Sequence, residues 1–189
     1  MNNSEHFLFV EKYRPRNIED CILPLQVKNT FRGYKGKGRI PNLLLFGTPG
    51  SGKTTVARAL CNEVNADHIL INASNESGID TFRNKVVQFA STISLTESKK
   101  VIILDEFDHA TPQMQAAMRA GLEEVSANCT FIFTCNYKDR IIPALHSRCS
   151  VIDFKIPSTE KIELAGQFFK RVISVLKQGH IEYDQKVLS

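Results

Sequence analysis

The sequence predicts an α/β fold, a parallel five-stranded sheet with helices on both faces. Two observations lead to this fold class: short apolar runs, and helical periodicity between the runs. Strands that are covered on both faces are apolar throughout, because neither face meets water. Five runs fit that description: Leu43–Phe46, Ile69–Ile71, Val101–Leu104, Phe131–Thr134 and Val151–Phe154. Strands that alternate with helices favour parallel pairing.

The segments between these runs carry apolar residues at the spacing of one helix face. A helix is expected over Thr55–Val64, directly after the first strand. The next pattern consists of Phe82, Val86, Phe89 and Ile93. The pattern after it consists of Met114, Met118, Gly121 or Leu122, and Val125. Each stripe predicts a helix that packs against the sheet.

A domain boundary is expected at Ile156–Pro157, which gives a first domain over residues 1–156 and a partial second domain over 157–189. Ser158 is predicted to cap a new helix. Its apolar stripe would be Ile162, Ala165, Phe169, Val172 and Leu176. Because roughly 30 residues cannot bury a core of their own, either the chain is a fragment or this helix packs back on the first domain.

Composition excludes several classes of protein. The chain has 189 residues, of which 42% are hydrophobic and 23% charged, so that disorder throughout, collagen and coiled coil are excluded. It contains neither an apolar run of about 18 residues nor a secretory signal pattern, which predicts a cytoplasmic protein with no membrane contact. Its five cysteines show no C-x-x-C spacing, so reduced core thiols are expected rather than a zinc site.

The net charge is +4, and the basic residues are unevenly distributed. No acidic residue occurs between Asp20 and Glu63, whereas Lys28, Arg32, Lys35, Lys37, Arg39, Lys53 and Arg58 fall inside that stretch. Two interpretations remain open at this point. The stretch is either a solvated basic face or a site for polyphosphate or DNA backbone.

The strongest motif is Gly-Thr-Pro-Gly-Ser-Gly-Lys-Thr at residues 47–54, which matches G-x-x-x-x-G-K-[ST]. It lies between a predicted strand and a predicted helix, which is the context that a phosphate-binding loop requires. Glycines let backbone N–H groups turn toward phosphate oxygens, and the helix N-terminus adds its dipole. Lys53 should reach the β- and γ-phosphates, and Thr54 should ligate Mg²⁺.

A second motif delivers carboxylates to the end of a strand. Asp105 and Glu106 follow the Val101–Leu104 run. Ligands bind in open α/β sheets at the carboxyl ends of strands. Asp105 is therefore expected in the Mg²⁺ shell, and Glu106 is expected to polarise the attacking water. Asp108 is interpreted as a helix cap or a solvated residue.

Two further candidates follow later strands. Asn136 lies two residues after the Phe131–Thr134 run and could bond the γ-phosphate or the water, although a turn residue would look the same. Arg148 precedes the last strand. It is either solvated or an arginine finger that completes the nucleotide site of a neighbouring subunit.

These residues together resemble the AAA+ ATPases of sliding-clamp loaders. Glu11-Lys-Tyr-Arg-Pro15 is similar to the N-terminal signature of replication factor C small subunits. Asn72-Ala-Ser-Asn-Glu-Ser-Gly-Ile-Asp80 and Ile141-Ile-Pro-Ala-Leu-His-Ser-Arg-Cys149 are similar to their loop after the second strand and their arginine-finger segment. The run from Lys12 to Pro24 looks closest to the clamp-loader large subunit of T4-like phages.

The resemblance implies a subunit of a hetero-pentameric ATPase, with ATP and Mg²⁺ as cofactors, that opens a ring-shaped clamp and loads it on primer–template DNA. It implies that the adenine end of ATP lies against Lys12, Tyr13 and Ile22. It implies that the phosphates are held by Gly50, Gly52, Lys53, Thr54 and Thr55. The implied nucleotide-binding residues are Lys12, Tyr13, Ile22, Gly47, Gly50, Ser51, Gly52, Lys53, Thr54 and Thr55. The implied catalytic residues are Lys53, Asp105, Glu106, Asn136 and Arg148, and the implied metal ligands are Thr54 and Asp105.

By the same resemblance, two helix starts face DNA in the central chamber of the ring. The candidates there are Arg83, Lys85 and Arg119, which would contact the backbone without reading sequence. The other loader subunits and the clamp are the implied protein partners. The protein would act in the cytoplasm, which is the host cytoplasm if a phage encodes it.

One feature departs from the pattern of this family, whose members carry a lid domain with a second sensor arginine and then a helical collar. We expect these 189 residues to contain only the start of a truncated helical lid domain. Other functions stay open. The chain could be another AAA+ motor, such as a branch-migration helicase or a protein remodeller. It could also be a non-hydrolysing scaffold subunit of a loader, and a small-molecule kinase is a distant alternative.

Overall fold

The computed structural model describes residues 11–75, 78–92, 100–179 and 181. Within these ranges, five parallel strands form one sheet in the order β2-β3-β4-β1-β5. The strands are β1 Leu43–Phe46, β2 His68–Asn72, β3 Lys100–Asp105, β4 Cys129–Cys135 and β5 Ser150–Asp153. The predicted parallel sheet is thereby confirmed, with β1 at the predicted bounds and β2, β3 and β4 longer by one or two residues at each end than the apolar runs.

Helices cover both faces of this sheet. They are α1 Leu25–Lys37, α2 Lys53–Glu63, α3 Ile79–Ser91, α4 Pro112–Glu124, α5 Pro143–His146 and α6 Lys161–Gln178. Short 3₁₀ turns lie at Phe107–His109, Lys138–Arg140 and Ser158–Glu160. The predicted stripes of α3 and α4 are largely buried, and the remaining predicted residue, Ile93, lies outside the described residues, as do Glu76 and Ser77.

The core consists of two apolar layers, one on each face of the sheet. Along β1, Leu43 and Leu45 pack into the layer that contains Phe31 of α1, whereas Leu44 packs into the layer that contains Phe82 of α3. Alternate side chains of a strand point to opposite faces, and here both faces are covered. This is why the strands are apolar without alternation.

The strand order brings three chain segments together at the carboxyl edge of the sheet. β4 lies between β1 and β3, with Phe46 opposite Cys135 and Leu104 opposite Phe133. The loop after β1, the acidic residues at the end of β3 and the polar residues after β4 therefore emerge side by side. This edge is where ligands bind in open parallel sheets.

The start of the last helix differs from the prediction. Residues Ser158–Glu160 form a 3₁₀ turn, α6 begins at Lys161, and neither start has a side-chain cap. Ser158 is therefore not the helix cap. Instead, Glu160 Oε2 accepts a 2.8 Å hydrogen bond from the backbone N–H of Leu25, which satisfies a free donor at the start of α1.

The face that α6 turns toward the rest of the chain also differs from the predicted stripe. Leu164 is the buried residue of this helix, whereas Ile162, placed in the predicted stripe, is 87% exposed. Arg171 Nη2 donates a 3.0 Å hydrogen bond to the carbonyl of Tyr13 and ties α6 to the segment before α1. Among the described residues, no helix is long and apolar enough to cross a membrane.

Candidate functional site

Residues 47–54 form a tight loop between β1 and the start of α2. Gly50 and Gly52 have φ values of 75° and 89°, in the left-handed region that favours glycine. Gly47 has a φ of 153°, and a Cβ atom placed there would lie 2.8 Å from Cβ of Phe154. The glycines of the motif are thus required by backbone conformation and by close packing. They leave the start of α2 open to an anion.

The loop wraps around the side chain of Lys53, which is only 8% exposed. Its Nζ donates hydrogen bonds to the carbonyls of Gly47 at 2.8 Å and Thr48 at 2.9 Å, and to Asn136 Oδ1 at 3.0 Å. Burial lowers the pKa of Lys53, while the charges of Asp105 and Asp108, with Cys135, act in the opposite direction. An anion beside Nζ would restore stability to the ammonium form.

Oxygen atoms from three segments converge next to this lysine. Asp105 Oδ1 accepts hydrogen bonds from Thr54 Oγ1 at 2.6 Å and from Thr134 Oγ1 at 2.5 Å. The chemistry of this donor set fits Mg²⁺, which prefers hard oxygen ligands and takes few of them from the protein when phosphates are present. Thr134 lies inside the predicted fourth strand and carried no sequence signal of its own.

Glu106 has an unusual backbone conformation, with φ 53° and ψ 41°. A non-glycine residue in this left-handed region is strained and persists only where its surroundings hold it. Two contacts do so here. Its backbone N–H donates to Thr134 Oγ1 at 3.1 Å, and its Oε2 accepts from Asn72 Nδ2 at 3.3 Å. Asn72, at the end of β2, was not recognised as a site residue from the sequence.

The interpretation of Asp108 as a cap or a solvated residue is wrong. The side chain is 5% exposed, and its Oδ2 accepts hydrogen bonds from the backbone N–H groups of Asn136 at 3.1 Å and Tyr137 at 3.2 Å. The reason is topological. The 3₁₀ turn Phe107–His109 folds back under the end of β4, so the carboxylate meets amides that lie 28 and 29 positions away.

A cleft of about 690 Å³ adjoins the loop. Two of the residues predicted to lie against adenine, Tyr13 and Ile22, line it, as do Gly50, Ser51, Gly52 and Thr55 of the predicted phosphate site. Lys12 is not among the lining residues, and its Nζ lies 5.3 Å from the centroid of the Tyr13 ring. The opposite wall comes from α6, which contributes Leu164, Phe168 and Arg171. This wall was not predicted.

Arg148 lies on the surface, next to the short helix α5. Its Nη2 lies 2.8 Å from Oε1 of Glu123 on α4, and its Nη1 donates to the carbonyl of Ala144 at 3.0 Å. The hydrogen bond from Arg148, and then its positive charge, lower the pKa of Glu123. Because Glu123 is exposed, we expect this pair to orient the guanidinium more than to stabilise the fold.

The three DNA candidates are all exposed on neighbouring helices. Arg83 and Lys85 lie on α3, and Arg119 lies on α4. Arg83 Nη2 lies 3.7 Å from Oε2 of Glu124 on α4, and both side chains of this ion pair are exposed. Lys85 borders an open groove along β2.

The basic stretch before Glu63 is divided between two roles. Arg32 makes a two-pronged contact with Glu19 at 2.6 and 2.7 Å, and Lys35 pairs with Glu63 at 2.7 Å. These residues lie on the surface of α1 and bind acids of this chain. Lys53, in contrast, lies inside the loop and donates to carbonyl oxygens of the loop and to Asn136. For this residue the polyphosphate interpretation stays a prediction.

Comparison with known proteins agrees with this geometry. Residues 43–157 match the model of the ATPase family associated with various cellular activities (AAA). The sliding-clamp-loader large subunit of Enterobacteria phage T4 is 43% identical to this chain over 193 aligned residues. That alignment covers the whole of this chain and 60% of the phage protein. A replication factor C small subunit of Methanocella arvoryzae is also 43% identical to this chain. The aligned part covers 80% of this chain and 49% of the archaeal protein. The chain thus spans about three fifths of the length of the phage relatives that it matches.

A solved structure shares the fold at much lower identity. The RuvB Holliday junction branch migration motor of Thermotoga maritima superimposes with a TM-score of 0.70 at 17% identity. The match covers 87% of this chain and 55% of that protein. At this identity, the similarity concerns the arrangement of the sheet and helices and not the activity.

Proposed function

The chain belongs to the AAA family of ATPases, and we propose that it is the ATP-hydrolysing part of a subunit of a DNA-replication sliding-clamp loader. One observation carries the ATPase assignment: Lys53, Thr54, Asp105 and Asn136, from three separate segments, are joined by hydrogen bonds at the carboxyl edge of the sheet. The names of the sequence relatives support the loader over a branch-migration motor or a protein remodeller. Binding of ATP would open the clamp, and hydrolysis would release clamp and DNA.

In this proposal, Lys53 and the backbone amides of residues 47–54 hold the β- and γ-phosphates. The lysine exchanges bonds to loop carbonyls for bonds to phosphate oxygens, which are stronger because both partners are charged. Tyr13 and Ile22 pack against the adenine, and α6 covers the cleft from the other side. Lys12 would have to turn toward the cleft from its place beside the Tyr13 ring.

Thr54 and Asp105 would hold Mg²⁺ together with the phosphates. The ion would neutralise charge that develops on the β- and γ-oxygens. Glu106 would orient and polarise the attacking water, which requires a carboxylate at the mouth of the site. Asn136, already 3.0 Å from Lys53 Nζ, would donate its amide N–H to the γ-phosphate or to that water.

Arg148 would act on the nucleotide of the neighbouring subunit. Its exposed position on Glu123 suits that role, since a guanidinium on the surface can enter a site that forms only at an interface. Hydrolysis would therefore depend on assembly. The expected assembly is a hetero-pentamer with other loader subunits, acting in the cytoplasm, and in the host cytoplasm if a phage encodes the protein.

Primer–template DNA would lie against the polar faces of α3 and α4, where Arg83, Lys85 and Arg119 would contact phosphates. Such contacts do not read sequence and weaken with salt. Residues 1–156 would form the ATPase domain. Residues 157–189 would begin a lid domain, with α6 as its first helix.

The decisive experiment measures steady-state ATP hydrolysis by the protein mixed with its cognate partner subunits. Primer–template DNA and the cognate sliding clamp are added separately and together, and Arg148→Ala is assayed in parallel with Arg39→Ala, an exposed arginine of the surface before β1. We expect DNA and clamp to raise the rate. Arg148→Ala should lower the stimulated rate by about 10³-fold or more, as for other arginine fingers that act between subunits.

Arg148→Ala should leave ATP binding by the isolated chain intact, and Arg39→Ala should change neither quantity. Stimulation by a protein substrate instead of primed DNA would replace the loader with a remodelling motor. Binding of ATP with no hydrolysis in any mixture would indicate a scaffold subunit. Loss of ATP binding by Arg148→Ala would indicate that Arg148 acts at the nucleotide site of its own subunit or stabilises the fold.

A further inference from the structure

The cleft beside the phosphate-binding loop has two walls that come from segments far apart in the chain. Tyr13 and Ile22 contribute to one wall, and Leu164 and Phe168 of α6 contribute to the other. A largely apolar cleft of about 690 Å³ next to an anion-binding loop suits a flat base that is linked to phosphates. The affinity for such a base depends on how firmly the two walls are held relative to each other.

The wall that contains Tyr13 is irregular, because residues 15–24 form neither a helix nor a strand. Side chains from other elements bind its backbone instead. Lys28 Nζ of α1 donates hydrogen bonds to the carbonyls of Glu19 at 2.7 Å and Cys21 at 3.1 Å. Hydrogen bonds from a charged donor are about twice as strong as those between neutral groups. The position of this wall is therefore set by cations that reach it from the surrounding helices.

Arg171 makes a contact of the same kind from the opposite wall. It lies on α6, lines the cleft, and donates through Nη2 a 3.0 Å hydrogen bond to the carbonyl oxygen of Tyr13, 158 positions away. A guanidinium group stays charged at any pH at which the protein is folded, so the bond is permanently charge-assisted. Because Arg171 binds the main chain, it restricts where the Tyr13 ring lies and leaves the faces of the ring open to a ligand.

We propose that Arg171 is a positioning residue that holds Tyr13 against the base of the nucleotide, so that α6 contributes to affinity for the base and not for the phosphates. The inference rests on the proposed ATP site and does not depend on clamp loading. Arg171 acts through the backbone of Tyr13, whereas the phosphates lie at residues 47–54. Loss of the bond would let the two walls separate and would leave the phosphate-binding loop as it is.

The test compares the binding of ATP, ADP and inorganic tripolyphosphate, which carries phosphate charge but no base. Arg171→Met keeps an unbranched side chain for packing and removes every donor. The variant should bind ATP and ADP more weakly by the same factor, about tenfold, which corresponds to the loss of one hydrogen bond from a charged group. Its affinity for tripolyphosphate should stay within about twofold, since a contact remote from the phosphates should add little. Isothermal titration calorimetry measures all three affinities.

Lys170→Met is the matched control, because it removes one positive charge from an exposed position of the same helix. It should leave all three affinities unchanged. Arg171→Lys keeps a charged donor and should recover part of the loss. Thermal unfolding without ligand shows whether each variant is folded, and Arg171→Lys repeats the comparison of ligands if Arg171→Met does not fold.

A second variant shows whether Arg171 acts through Tyr13. Tyr13→Ala removes the ring but keeps the carbonyl that Arg171 binds. It should weaken the binding of ATP and ADP and leave the binding of tripolyphosphate unchanged. In this background, Arg171→Met should cost less than about twofold further, because the effects of two residues that act as one unit are not additive.

Three results would overturn the inference. A loss of tripolyphosphate binding by Arg171→Met, or a larger loss for ATP than for ADP, would show that Arg171 acts on the phosphates. Fully additive losses with Tyr13→Ala would show that Arg171 acts independently of Tyr13. Unchanged affinity of Arg171→Met for ATP would show that the bond has no part in binding. If the unaltered protein binds neither ATP nor tripolyphosphate, the proposed function fails instead, whereas absence of stimulation by DNA and clamp leaves the comparison of ligands intact.

Discussion

Thr54 and Asp105 lie 51 positions apart in the chain, and the Thr54 hydroxyl donates a 2.6 Å hydrogen bond to Asp105 Oδ1. Asp105 ends β3, and Thr54 lies at the start of α2, after the loop that follows β1. β1 and β3 are not neighbours, because β4 lies between them. The bond therefore spans the intervening strand, which contributes Thr134 as a second donor to the same oxygen. This convergence of oxygens, with Lys53 beside it, is the basis for the predictions on nucleotide binding.

Lys53→Ala should weaken ATP binding by roughly ten- to a hundredfold, which corresponds to the loss of hydrogen bonds to a charged group. The reason is that Lys53 Nζ is buried in the loop, where it donates to neutral carbonyl oxygens. A phosphate oxygen would accept stronger hydrogen bonds from this ammonium group, because it carries a negative charge. Titration with a fluorescent ATP analogue measures the effect. Lys37→Ala, an exposed lysine at the end of α1, is the control, and equal affinities of the two variants would refute the phosphate-site assignment.

Glu106→Gln should retain ATP binding and lower hydrolysis by about 10²- to 10⁴-fold, the range for loss of a general base. The amide keeps the size of the side chain and still accepts the hydrogen bond from Asn72, so the strained turn should persist. Single-turnover hydrolysis separates the chemical step from binding. The same exchange at Glu163, on the exposed side of α6, should have no effect, and a Glu106→Gln protein with normal turnover would remove Glu106 from its role.

Reversal of charge at Arg83, Lys85 and Arg119 together should weaken stimulation of hydrolysis by DNA. The slope of log affinity against log salt should fall by about one per lost phosphate contact. A control with the same change in net charge replaces Lys37, Arg39 and Lys170, which are exposed elsewhere. DNA binding at several salt concentrations distinguishes the two variants, and equal slopes would return the three residues to the class of solvated surface charges.

Gly47→Ala should destabilise the fold as well as the loop. The new Cβ would lie 2.8 Å from Cβ of Phe154, and the φ of 153° is unfavourable for alanine. Such overpacking and backbone strain cost about 1–3 kcal/mol each. In a domain of this size, each kcal/mol lowers the melting temperature by roughly 2–4 °C.

Gly36→Ala is the matched control for this substitution. Gly36 lies inside α1 with nothing within 4 Å of the new Cβ, so alanine should stabilise the helix by up to about 1 kcal/mol. Thermal unfolding of both variants is the measurement. A melting temperature of Gly47→Ala at or above that of the unaltered protein would contradict the close packing of the loop against Phe154.

Much of the fold was predictable because its signals are local. Apolar runs of three or four residues and helical periodicity report burial directly, since a residue's own polarity decides whether it can lie in a core. The motif at 47–54 was predictable for the same reason, because its glycines meet backbone requirements within one loop. Asp105, Glu106 and Asn136 were predicted to lie near it from their places at strand ends.

Other features had no local signal. Asp108 looked like a cap or a solvated acid, and it is buried only because the turn after Glu106 folds under β4. Asn72 and Thr134 are ordinary polar residues until the strand order places them beside Glu106 and Asp105. Ser158 had the sequence of a helix cap, but Glu160 and its bond to Leu25 govern how that segment joins α1.

The sequence by itself thus determined the parallel α/β sheet, the phosphate-binding loop and which strand ends carry its polar residues. Tertiary structure decided which face α6 turns inward, which carboxylate is buried, and which distant amides and hydroxyls hold the site residues. The physical reason is that periodicity and turn chemistry act over a few residues. Hydrogen bonds such as that from the backbone N–H of Asn136 to Asp108 join residues 28 positions apart, and their partners are known only when the strand order is known.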